Sequence, residues 1–162
     1  MIRGINFRDL VYAMACLSLA IVVGAAVYEH LAVVPRWTRA IPASLSMFQG
    51  ESGLYPQSFW IPVHPITTAL LGAALLTSWK LKRCANVLVA LLGYLVILGV
   101  TFVYFVPELI ELTATPYSQS VDAALTERAQ RWETLSLVRL FALMLLSLVL
   151  FLGLAKGPDG EN

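Results

Sequence analysis

The segment Leu135–Ala155 reads LSLVRLFALMLLSLVLFLGLA, and Arg139 is its only charged residue. An apolar run of this length is sufficient to cross the hydrocarbon core of a bilayer as a helix. A cation inside hydrocarbon is costly unless it faces a partner or a water-filled cavity. The segment therefore predicts a membrane-spanning helix whose arginine faces the interior of a helix bundle.

Three further apolar runs have similar lengths and predict three more spans. They cover Leu10–Val34, Ile61–Trp79 and Cys84–Val106. In lipid, only helices and closed barrels satisfy the backbone, and unbroken apolar runs differ from the alternating pattern of barrel strands. We therefore predict an all-α fold, a four-helix transmembrane bundle that forms a single membrane domain over residues 1–162.

The composition is typical of a membrane protein and argues against several other classes of protein. Hydrophobic residues make up 59% of the chain and charged residues 13%, which is about half the charged share of soluble domains. The net charge of +1 argues against a nucleic-acid partner. Neither Cys16 nor Cys84 lies in a polar loop, so we expect no disulfide. The uncharged stretch Leu10–Tyr28 exceeds the apolar core of a secretory signal, which indicates a retained first span.

The distribution of Lys and Arg predicts the orientation. Six of these residues fall on one side of the membrane and four on the other: Arg3, Arg8, Lys80, Lys82, Arg83 and Lys156 against Arg36, Arg39, Arg128 and Arg131. The more basic side is normally cytoplasmic. We therefore expect a cell-membrane protein with both termini in the cytoplasm. Two longer connections, Pro35–Trp60 and Pro107–Arg131, would then lie outside.

The second of these connections contains the start of an extended fourth helix. Ser120 is predicted as its N-cap, and the helix is expected to run without a break into the fourth span. The first connection is rich in aromatic residues, including Trp37 and Trp60. These two side chains are expected either in an interfacial aromatic belt or in a lid over a pocket.

All four spans place polar groups in one layer beneath the outer surface. Counting about 1.5 Å of rise per residue from the cytoplasmic charges brings these groups to similar depths; they are Glu29, His30, His64, Thr101, Tyr104 and Arg139. Glu29 is the only acid within the predicted spans, so we predict an ion pair between Glu29 and Arg139.

Each member of this layer also has a purely structural interpretation. Arg139 could snorkel or clamp helices through carbonyl groups, and Glu29 could simply neutralise it. The two histidines could cap a helix or face the interface, and Tyr104 could anchor at the interface.

Several short motifs resemble a known family. Gly24-Ala25-Ala26-Val27-Tyr28-Glu29-His30 is followed by Pro35-Arg36-Trp37; Pro107 closes the third helix, and Trp132 and Arg139 open the fourth. In these elements the chain resembles the anthrone-oxygenase-like family of small four-helix membrane proteins. The resemblance implies O₂-dependent oxidation of a flat hydrophobic substrate in a pocket where His30 and Arg139 are the polar groups.

The first functional hypothesis is an intramembrane oxygenase or oxidoreductase for an aromatic or quinone-like molecule. His30 or His64 would take a proton, and Arg139, with Glu29 nearby, would stabilise the oxyanion. The predicted substrate-binding residues are Tyr104, Trp37, Trp60 and Trp132. The chemistry requires no cofactor, although two histidines and a carboxylate could hold Fe or Cu.

Two other hypotheses make the chain non-enzymatic. The first is an accessory subunit in which Arg139 and Glu29 hold helices together. Asp122, Glu127, Arg128 and Arg131 would then form a docking surface for a membrane-protein partner or a second copy. A proton-coupled transporter is less consistent with the sequence, because no span contains an internal Pro-Gly break.

Overall fold

The computed structural model describes residues 6–156, which contain no β-strand. Six α-helices are α1 (Phe7–Ala32), α2 (Val34–Thr38), α3 (Gln57–Ser78), α4 (Cys84–Val100), α5 (Val106–Thr113) and α6 (Ala123–Leu152). A π-helical turn, Thr101–Phe105, joins α4 to α5, and 3₁₀ turns cover Ala43–Phe48 and Gly153–Ala155. Arg3, which contributed to the charge count, lies outside the described residues.

Four continuous stretches are long and apolar enough to cross a membrane: Phe7–Thr38, Gln57–Ser78, Cys84–Thr113 and Ala123–Ala155. Helix α1 packs against α3 and α6, and α4 packs against the same two helices, so α1 and α4 lie across the bundle from each other. This arrangement confirms the predicted all-α four-helix bundle.

Large apolar side chains cover the outside of the bundle. Leu31, Leu76 and Val103 are each more than three-quarters exposed, and similar residues occur on every span. In water this surface would be unfavourable by roughly 25 cal/mol per Å², whereas hydrocarbon tails cover it without cost. The chain is therefore a multi-pass membrane protein whose helices contact lipid.

The bundle has two unlike ends, which we call the loop end and the turn end. At the loop end the two longer connections meet, because the Asp122 amide donates to the Ile41 carbonyl at 2.8 Å. At the turn end Arg83 is buried; it forms an ion pair with Asp9 at 2.7 Å and lies 4.7 Å from the Tyr12 ring. These contacts fix the α3–α4 turn against α1.

The third span differs from the prediction at Pro107. We expected the helix to close there, but it continues to Thr113. A proline within a helix lacks an amide donor and clashes with the preceding turn. The π-helical turn removes this conflict, since the Val106 amide donates to the Thr101 carbonyl five residues earlier and Pro107 lies in the first turn of α5. Pro107 therefore lies within the third span without ending it.

Two helix starts also differ from the predictions. The side chain of Asp122, and not that of Ser120, accepts hydrogen bonds from the Ala124 and Leu125 amides at 2.9 and 3.0 Å. A carboxylate suits this position because it also interacts favourably with the helix dipole. The predicted extended fourth helix is confirmed. Helix α3 begins at Gln57, ahead of the predicted Ile61, and accommodates Pro62 and Pro65 within its first turns.

Candidate functional site

Arg139 lies on α6 against the π-helical turn. Its Nη1 donates to Thr101 Oγ1 at 3.1 Å and its Nη2 donates to Ser136 Oγ at 2.9 Å. The guanidinium carbon lies 4.2 Å from the centroid of the Phe105 ring, a cation–π contact. Thr101 and Phe105 are the two ends of the π-helical turn, and such turns are frequent at functional sites. The irregular backbone at Pro107 thus shapes the surroundings of the arginine.

A groove of about 280 Å³ lies between α4 and α6 beside this arginine. Its walls are aliphatic side chains of both helices together with Tyr104 and Phe105, and Arg139 is its only charged lining residue. Val96, Val100 and Val138 line the groove and are each at least half exposed on the outside of the bundle. The groove therefore opens on the surface that contacts lipid.

Arg139 is incompletely paired within residues 6–156. Of the five guanidinium N–H groups, the two bonded to Thr101 and Ser136 have acceptors, which leaves three for another partner. Neither acceptor is charged. Arg139 is half-buried, and a cation that is partly removed from water without a carboxylate in contact is energetically unfavourable.

The predicted ion pair between Glu29 and Arg139 is wrong. The two charges interact through space, but no salt bridge joins them within the described chain. Glu29 Oε1 instead accepts a hydrogen bond from Trp60 Nε1 at 2.8 Å. This indole donor on α3 satisfies the carboxylate directly, which fixes α1 against α3.

His64 is connected to Glu29 through Trp60. Its ring stacks on Trp60 with centroids 5.3 Å apart, and its Nδ1 lies 2.7 Å from the hydroxyl of Tyr94, which is fully buried. Glu29, Trp60, His64 and Tyr94 thus connect α1, α3 and α4 through the bundle interior. Both His64 and Glu29 interact electrostatically with Arg139. Neither lines the groove.

His30 lies on α1 and is 8% exposed. Its Nδ1 is 2.8 Å from the Ala26 carbonyl oxygen, and its Nε2 has no hydrogen-bond partner within the described chain. The ring interacts electrostatically with Arg139 and Glu133, both on α6. Of the residues that the first hypothesis places around the substrate, Tyr104 and Arg139 line the groove, whereas His30 and His64 do not.

The three tryptophans predicted to bind substrate occupy two different positions. Trp37 and Trp132 are buried at the loop end, with ring centroids 5.4 Å apart. Trp132 also contacts Phe105 and donates its indole N–H to the Phe105 carbonyl at 3.0 Å, so these rings support the wall of the groove. Trp60 contacts His64 within α3. Trp37 is packed in the core and does not form part of a lid.

The predicted metal set is not assembled. Residues 6–156 contain no group of three or more His, Cys, Asp or Glu side chains placed to hold a metal ion. His30, His64 and Glu29 each direct one polar atom to a different partner: Ala26, Tyr94 and Trp60.

Sequence reasoning missed Ser136, Phe105 and Tyr94 as members of the site. Ser136 lies three residues before Arg139, so both face the same side of α6, and this spacing could have indicated their hydrogen bond. The Arg139–Phe105 contact depends on the π-helical turn, for which Pro107 is the only signal. Tyr94 gives no signal at all, because a tyrosine in an apolar span is typical of a packed core.

The fold and the groove define the class of protein as a small multi-pass four-helix membrane protein with an arginine-containing lateral groove. No protein-family model, curated protein or solved structure matches the chain.

Proposed function

We propose that the protein takes a flat, hydrophobic aromatic or quinone-like molecule from the bilayer into the α4–α6 groove and oxidises it with O₂. One observation carries the proposal: Arg139 is the only charge in an otherwise apolar groove and retains three N–H groups without acceptors in residues 6–156. Such a site favours a ligand whose body is apolar and whose single oxygen is negatively charged.

The groove matches this substrate class in size and chemistry. A cavity of about 280 Å³ is close to the lower limit of small-molecule sites, which are typically about 300–1,000 Å³. Aliphatic walls and the rings of Tyr104 and Phe105 suit a flat apolar body. The exposed valines at the edge give direct access from lipid, where a hydrophobic molecule of this kind is concentrated.

The reaction we propose is the oxidation of an anthrone-type ketone, the class that the sequence resemblance implies. Loss of a ring CH₂ proton gives an oxyanion, which Arg139 stabilises through its remaining N–H groups. The ionised carbon adds O₂ and, with a returned proton, becomes a hydroperoxide. Elimination of water then leaves a second carbonyl. One oxygen atom enters the product, the other leaves as water, and O₂ is the four-electron oxidant.

The proton acceptor in this scheme is His30 or His64. Both rings interact electrostatically with Arg139, so the proton and the oxyanion would remain in one polar region. Neither ring lines the groove, so the proton reaches them through an intervening hydroxyl group. This role remains a proposal for both residues.

Turnover of anthrone tests the function. We expect the protein in lipid nanodiscs to convert anthrone to anthraquinone faster than empty nanodiscs, at a rate proportional to the amount of protein. The measurements are anthraquinone absorbance and O₂ uptake, in a ratio of one O₂ for each product molecule. A rate equal to that of empty nanodiscs would contradict the proposal.

The alternative is a non-catalytic accessory subunit, and the loop end offers it limited support. Arg128 is bound to Glu108 and Glu111, each at 3.0 Å, and Asp122 caps α6. Glu127 and Arg131 lie 3.9 Å apart. The charged groups predicted to dock a partner therefore already have partners within the chain. Saturable binding of anthraquinone without anthrone oxidation would favour this alternative.

We also propose that the loop end faces outward and that both termini are cytoplasmic, because of the Lys and Arg distribution. Cysteines introduced at Ser52 and Gln119, which are exposed in the two longer connections, should react with an impermeant maleimide on intact cells. Cys84→Ser removes the half-buried native thiol, while Cys16 is buried. Reaction only after permeabilisation would reverse the orientation.

A further inference from the structure

His30 presents a hydrogen-bond acceptor to the bundle interior. A carbonyl oxygen can only accept, so the Nδ1 nitrogen that lies 2.8 Å from the Ala26 oxygen must carry a hydrogen and donate it. In the neutral ring, Nε2 then bears a lone pair and no hydrogen. The intrahelical bond to Ala26 therefore fixes both the tautomer and the direction of the free acceptor.

Charged residues of opposite sign lie on the helix that faces His30. Arg139 and Glu133, on the facing helix α6, both interact with the ring. Glu133 is already engaged, because Thr38 donates to its Oε2 at 2.5 Å. A protonated ring would place a second cation close to Arg139 in an interior where no carboxylate contacts His30. In the neutral ring, Nε2 is thus an acceptor without a hydrogen-bond partner in residues 6–156.

An unpaired acceptor at this depth is costly. The residue is 8% exposed, and leaving such a group without a hydrogen bond typically costs about 1–3 kcal/mol. Buried polar groups of this kind are normally satisfied by protein, by ordered water or by a ligand. Residues 6–156 supply no partner for Nε2. The partner must carry a hydrogen that it can donate.

We propose that the interior position next to His30 Nε2, between α1 and α6, is a binding site for a hydroxyl group that donates its hydrogen to this nitrogen. The hydroxyl belongs either to an internal water molecule or to the aromatic molecule of the proposed function. Arg139 interacts electrostatically with the His30 ring. In the proposed function, this hydroxyl is the group through which the substrate proton reaches His30.

Nitrogen NMR of the whole protein in bilayers tests the site, because the chain contains only two histidines. With ¹⁵N-labelled histidine, His30 should show a protonated Nδ1 and an unprotonated Nε2 whose chemical shift is that of a hydrogen-bonded acceptor. His64, paired with Tyr94, serves as the internal reference. Either His30→Gln or His64→Gln assigns both rings, so failure of one variant to fold does not prevent assignment.

Two measurements, the two arms of the test, distinguish a water hydroxyl from a ligand hydroxyl. Magnetisation transfer from water to Nε2 in the ligand-free protein identifies water. A change at His30 on adding 2-hydroxyanthraquinone, but none with 2-methoxyanthraquinone at equal occupancy, identifies the ligand; only this arm rests on the proposed function. An Nε2-protonated ring would overturn the inference. So would an Nε2 that shows no hydrogen bond both before and after addition of either probe.

Discussion

Replacing Arg139 with methionine is expected to lower the rate of anthrone oxidation by at least about 100-fold. Loss of one donor to a developing oxyanion typically costs about 100- to 1,000-fold in kcat, and Arg139 is the only charge in the groove. Arg139→Lys should lose about 10-fold, because a lysine keeps the charge but lacks the planar fork of donors. The rates would be measured in nanodiscs with matched protein content.

The stability of the same variant separates a functional role from a structural one. Replacing ions that are shielded from water by apolar side chains of similar size is often neutral or stabilising, and Arg139 is half-buried. Thr101 keeps its bond to the Ile97 carbonyl at 2.7 Å in the absence of the arginine. We therefore expect Arg139→Met to unfold at the same or a higher denaturant concentration than the parent. Clear destabilisation with unchanged oxidation would show that Arg139 is a helix clamp.

Leu137→Met is the matched control for Arg139→Met. Leu137 is exposed on the same helix and does not line the groove. Leu137→Met should change neither the rate of anthrone oxidation nor the stability. An equal loss of rate in both variants would indicate a general effect on α6.

Trp132→Ala is expected to destabilise the protein by about 3–5 kcal/mol, the usual range for removing a buried tryptophan. The side chain is 5% exposed and packs on Trp37 and Phe105. Its indole N–H also satisfies the Phe105 carbonyl at the π-helical turn. Trp132→Phe retains much of the packing and should lose about 1 kcal/mol for the hydrogen bond, plus a smaller packing term.

Equilibrium unfolding in mixed detergent micelles measures both tryptophan variants. Phe141→Ala is the control, because Phe141 lies on α6 and is 62% exposed, so lipid or detergent can occupy the space left by the ring. Its effect should stay within about 0.5 kcal/mol. If Trp132→Ala lowered the free energy of unfolding no more than Phe141→Ala does, the close packing around Trp132 at the loop end would be contradicted.

Hydropathy and charge predicted the parts of the fold that depend on the bilayer. The four spans and the extended α6 follow from apolar length and from helix start signals. The predictions that were wrong concern which side chain contacts which. Whether Glu29 meets Arg139 or Trp60 depends on the rotation of α1, and no apolar period specifies this in a helix that is hydrophobic on most sides.

The environment of Arg139 was the part that sequence could least predict. Ser136 and Thr101 are small hydroxyl residues, which in apolar spans also occur simply to let helices approach closely. The position of Phe105 depends on the π-helical turn before Pro107, and proline alone does not distinguish a helix end from a widened turn. Which residues surround Arg139 depends on packing between segments that are distant in the sequence.

Photolabelling in nanodiscs tests most directly whether the groove beside Arg139 binds an aromatic molecule. An azide-bearing anthraquinone should form adducts within residues 96–105 and 135–142, and excess anthraquinone should suppress them. Arg139→Met should reduce labelling at these positions while leaving background labelling of other lipid-facing residues unchanged. Adducts spread evenly over all four spans, insensitive to competitor and to Arg139→Met, would contradict a binding site in the α4–α6 groove.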